Sequence, residues 1–123
     1  IRQPCSSENT GDAVVELLER PQLNGLFHWA GTEEVSRYEL AIRILRHFGI
    51  NSEKIIRGSV QTALRTVGER PNHLSFILEP LSSKLCVQPV SIEEQIGQLK
   101  IPSDMYSWYR EFADSPSSYI HRF

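Results

Sequence analysis

Arg70 is the residue whose type and setting most suggest chemistry. It precedes Pro71 in an irregular stretch, residues 58–73, that also holds Gly58 and Gly68. A guanidinium held in a loop suits bidentate binding of phosphate or carboxylate. The competing reading is a solvated loop arginine. The other reactive side chains form no recognisable machinery. His28, His47, His73 and His121 are scattered, and none has the spacing to another histidine or to a cysteine that a metal site needs. His28 reads as a packed histidine with one backbone partner. No tyrosine is followed four residues later by lysine: Tyr38 meets Ile42, Tyr106 meets Arg110 and Tyr109 meets Ala113. The seven glycines are dispersed, without a phosphate loop or a dinucleotide fingerprint. The aromatic set Tyr106, Trp108, Tyr109 and Phe112 reads as helix packing rather than a ligand platform.

Bulk properties narrow the classes further. At 123 residues the chain is long enough for one core, and 40% hydrophobic with 23% charged residues is ordinary for a globular domain. A net charge of −2 offers no electrostatic case for nucleic acid or an anionic membrane. No apolar run approaches the roughly 18 residues of a spanning helix. Cys5 and Cys86 make no disulfide framework, so a reduced, cytoplasmic protein is expected. The chain does not begin with Met and reads as a fragment or processed product.

The elements that would position these residues follow from periodicity. Residues 25–31 hold Leu26 to Ala30 between two glycines and read as a short buried strand. Ser36-Arg37-Tyr38-Glu39 is a capping box that opens a helix over 36–48. Its apolar face is Tyr38, Ala41, Ile42, Leu45 and Phe48, and Gly49 fits the left-handed position beyond its end. Burial is expected for Phe27, Trp29, Ala41, Ile42, Leu45 and Phe48, with Phe27 and Trp29 on opposite faces. A helix over 9–19 carries Ala13, Val14, Leu17 and Leu18 and stops before Pro21. Residues 74–78 read as a second strand, 82–85 as a helical turn, and 103–113 as a last helix. Ser91-Ile92-Glu93-Glu94 is a second capping box, opening a helix to about Leu99. Residues 1–113 then form one lobe, and 114–123 a tail.

The order of these pieces resembles the C-terminal lobe of the dTDP-4-dehydrorhamnose reductase family of extended short-chain dehydrogenase/reductases. His28-x-x-Gly31, Ser36-x-Tyr38-Glu39 and Phe48-Gly49 match its strand, helix start and helix end. Arg70-Pro71-Asn72 resembles its Arg-Pro-x-Asn stretch, Lys84-Leu85 its Ser-Lys-Leu, and 89–99 its final helix. The phrase Phe27-His28-Trp29 is also similar to the regulatory β subunits of methionine adenosyltransferases, which are non-catalytic relatives. The chain departs from the pattern at Cys5, where Thr is usual, at Asn9, where Asp is usual, and in extra residues over 78–82.

The resemblance implies an α/β fold: a small substrate-binding lobe with a few short strands and three to five helices, its Rossmann half absent. It implies a sugar-nucleotide substrate, touched by Arg70, Asn72 and Arg2. Arg2 lies in register with an arginine that meets the nucleotide phosphate in related epimerases. Two guanidiniums, Arg2 and Arg70, would then clamp a pyrophosphate. NAD(P) and the Tyr-x-x-x-Lys pair belong to the missing half, so this chain alone is expected to bind no cofactor and to carry no catalytic residue. Its partners would be that Rossmann domain and the substrate, with a homodimer or a regulated enzyme left open. A regulatory subunit and a free-standing interaction module are the rival readings.

Overall fold

The computed structural model describes residues 1–51 and 71–113. The described elements are α1 (Ser7–Glu19), α2 (Arg37–His47), α3 (Ile92–Gly97), a 3-10 turn at Ser103–Met105 and α4 (Tyr106–Phe112). Arg70 and the expected tail lie outside the described residues. The chain divides into two compact units: Ile1–Val35 with His73–Gln95, and Ser36–Asn72 with Ile96–Phe123. No helix among the described residues is long and apolar enough to cross a membrane.

Helix ends follow local chemistry. Ser6, extended at φ −71° and ψ 151°, caps α1 by accepting from the Asn9 amide at 3.2 Å, so the helix starts two residues before the expected position. Ser36 caps α2 in the same way, through the Glu39 amide at 3.1 Å. The Glu39 carboxylate pairs with Arg43 at 2.7 Å, one turn onward, in place of the expected return to Ser36. The second box is reciprocal. Ser91 N–H and Oγ–H both donate to Glu94 Oε2, at 2.8 and 2.7 Å, and the Glu94 amide donates to Ser91 Oγ at 3.3 Å. Gly49 takes φ +66° past α2, as expected.

The α/β expectation is corrected in its strands. Neither 25–31 nor 74–78 is a strand. Among the described residues the only bridges are isolated ones, Arg2 with Val35 and Ile50 with Ala113. Side-chain bonds stand where a ladder would run. Arg2 and Val35 exchange amide bonds of 2.9 and 2.8 Å, and Leu74 N–H donates to the Ile1 carbonyl at 3.1 Å. Between these contacts, Gln3 Nε2–H donates to the Gly31 carbonyl at 2.8 Å, and Gln3 Oε1 accepts from the Phe76 amide at 2.7 Å. One amide side chain thus satisfies two backbone groups that a ladder would have paired.

The core of the first unit is Ala13, Leu81 and Leu85, with Leu17, Leu23, Phe27, Trp29 and Val87 packed against it. Phe27 and Trp29 share this cluster, which overturns the expectation of opposite faces. Side chains alternate along an extended chain, so residues two apart point the same way. The expected turn near 82–85 is present, with Leu85 N–H donating to the Leu81 carbonyl at 3.1 Å.

In the second unit Tyr109 is 1% exposed and meets Phe48 edge to face, ring centroids 6.3 Å apart. Of the six residues expected in the core only Phe48 is buried, at 7% exposure. Phe27, Trp29, Ala41, Ile42 and Leu45 are half-buried.

Candidate functional site

The extended residues 1–4, with the flanking 31–35 and 73–76, carry Arg2, Gln3, Glu34 and His73. Arg2 is fixed here by its backbone, and its Nη1 donates to the Ile1 carbonyl at 2.6 Å. Glu34 Oε2 lies 2.6 Å from His73 Nε2. Hydrogen bonds from His73, then from Ser75, hold the Glu34 carboxyl below its usual range. On the neighbouring stretch His28 is exposed, its ring against Phe76 at 5.3 Å between centroids. That corrects the expected packed histidine.

Of the residues expected to touch substrate, Arg2 belongs to the first unit and Asn72 to an exposed bend of the second. Arg70 lies outside the described residues. The clamp therefore rests on sequence.

Two polar anchors were not foreseen. Asn9 is buried on α1. Its Oδ1 accepts from Trp29 Nε1–H at 3.0 Å, and its Nδ2 donates to the Gln88 carbonyl at 2.9 Å. Glu16 is 8% exposed and accepts from the Cys86 and Val87 amides, each at 2.8 Å. These two amides, Cys86 first, and Arg20 at 2.8 Å hold its carboxyl below the ordinary value of 4.5. The signal was present in the sequence: Asn9, Ala13 and Glu16 recur at four and three residues, on the buried face of α1.

Around Glu16 opens a groove of about 420 Å³ lined by Asp12, Val15, Glu16, Glu19, Arg20, Cys86 and Val87. Its one arginine is occupied. Arg20 donates to the Lys84 carbonyl at 2.7 Å and to Cys86 Sγ at 3.1 Å. Among the described residues no three metal-binding side chains converge.

A family model described as the RmlD substrate binding domain matches residues 1–101. No curated protein and no solved structure gives a significant match.

Proposed function

Because the chain belongs to the RmlD substrate binding domain family, we propose that it is the substrate-binding part of an NAD(P)-dependent sugar-nucleotide reductase. The observation that carries this reading is the match over residues 1–101, which takes in the whole first unit and residues 36–72 and 96–101 of the second. Arg2 and Arg70 would contact the pyrophosphate, and Asn72 the substrate beside Arg70. Charge-assisted bonds from two guanidiniums suit a diphosphate.

No dinucleotide fingerprint is legible in the chain, so this reading does not assign the cofactor to it. Its seven glycines are dispersed. The cofactor and the proton donor would come from a Rossmann domain, and this chain would orient the sugar and keep water from it.

The test is a titration of the chain, followed by NMR, with a dTDP-sugar and separately with NADPH. The dTDP-sugar should bind, and Arg70→Ala should weaken it by about 1–3 kcal/mol, the range for a lost charge-assisted bond. An unchanged affinity in Arg70→Ala removes the clamp. Binding of NADPH with no response to the dTDP-sugar overturns the reading. Association with a second enzyme and no sugar-nucleotide binding would instead favour the regulatory-subunit reading.

A further inference from the structure

α1 buries polar residues and exposes apolar ones. Asn9, Ala13 and Glu16 form its buried face. On the opposite side Ser7, Gly11, Val14 and Leu18 follow at intervals of four, three and four residues, so they line one seam along the helix. All four are exposed, Val14 by 49% and Leu18 by 77%. A Cβ at Gly11 would meet nothing within 4 Å, so the seam is open there too. Glu8, Asp12, Val15 and Glu19 repeat the spacing one residue later and form the adjoining row. Among the described residues the carboxylates of Glu8, Asp12 and Glu19 make no hydrogen bond or ion pair.

The same row lines the groove beside α1, to which Asp12, Val15 and Glu19 contribute together with Val87. The other charges of that groove are already engaged: Glu16 accepts from the Cys86 and Val87 amides, and Arg20 pairs with Glu16. Two uncompensated carboxylates, Asp12 and Glu19, remain beside apolar wall.

An exposed apolar seam on the outside of a helix suits a second helix laid along it. The acidic row decides its chemistry. The exposed face of α1 carries no Lys or Arg, so a second copy of this face would bring more carboxylates and no cation. We propose that the face docks a basic amphipathic helix of another protein, its apolar residues on Val14 and Leu18 and its Lys or Arg side chains along Glu8, Asp12 and Glu19. The groove takes one of these side chains, with the methylenes against Val15 and Val87 and the cation at Asp12 and Glu19. This surface is independent of the substrate reading.

Calorimetric titration of the full chain with a synthetic helical peptide, leucine at the a and d positions of its heptads and lysine elsewhere, tests the docking. The lysine peptide should bind, with an affinity that falls as salt is added, and the same peptide with glutamate for lysine should not. Leu18→Ser should weaken binding at least about tenfold. Asp12→Asn combined with Glu19→Gln should weaken it several-fold and flatten the salt dependence, with helix content unchanged by circular dichroism. Ile77→Ser, which alters a side chain 81% exposed away from α1, should leave it unchanged. A lysine peptide that does not bind overturns the proposal, as does equal binding of the glutamate peptide. So does an affinity that Leu18→Ser or the paired Asp12 and Glu19 variant leaves unchanged, or that Ile77→Ser lowers as much as Leu18→Ser. A free chain that dimerises in sedimentation and becomes monomeric with Leu18→Ser assigns the face to a second copy, and overturns the proposal too.

Discussion

Trp29 Nε1–H donates to Asn9 Oδ1 at 3.0 Å, tying the extended stretch before Gly31 to the first turn of α1. The same Asn9 side chain donates from Nδ2 to the Gln88 carbonyl. It thus uses an acceptor and a donor at once, and a carboxylate there would offer no donor. Asn9→Ala would leave the Trp29 and Gln88 groups without this partner. A loss of about 1–3 kcal/mol is expected, read as a lower urea midpoint. Asn9→Asp should also destabilise, since it sets a carboxylate against the Gln88 carbonyl.

Gly31 is buried where a Cβ would run into the Pro4 carbonyl and lie 2.7 Å from Gln95 Nε2 and 3.3 Å from the Val90 carbonyl. Two of these neighbours are backbone, and Gln95 is held by bonds to both carbonyls. Gly31→Ala should therefore cost about 1–3 kcal/mol through overpacking. Thermal unfolding of Gly31→Ala beside Gly97→Ala separates the cause, because a Cβ at Gly97 meets nothing within 4 Å.

Glu16 sets an acid dependence. Its folded carboxyl titrates below the ordinary value of 4.5, so between the folded and unfolded values the unfolded chain binds more protons than the folded one. The stability it contributes is full above the unfolded value and is lost as pH falls through the folded value. Glu16→Gln should be less stable than the parent at neutral pH, and the difference should shrink on acidification. Denaturation midpoints measured from neutral pH into the acid range would show the two curves converging.

Core position decides the cost of truncation. Leu81 is 2% exposed in the first unit's cluster, and Leu81→Ala should cost about 2–5 kcal/mol. Leu45 is only half-buried on α2, so Leu45→Ala should cost less. Equal losses in urea unfolding would contradict the described burial.

The sequence by itself determined the helices and the caps of α2 and α3, because caps are local chemistry: Ser36 with Glu39, Ser91 with Glu94, and Gly49 beyond α2 act within a few residues. It also carried the family resemblance, since that rests on the order of short motifs. Tertiary structure alone decided how the extended segments pair. Apolar runs at 25–31 and 74–78 favour strands, yet Gln3 reaches both Gly31 and Phe76, and no periodicity encodes a side chain taking the place of a ladder. Tertiary structure likewise decided that Asn9 and Glu16 face inward. Their polarity suggests solvent, and it is partners such as the carbonyl of Gln88, 79 positions from Asn9, and the amides of Cys86 and Val87, 70 and 71 positions from Glu16, that offset the cost of burying them.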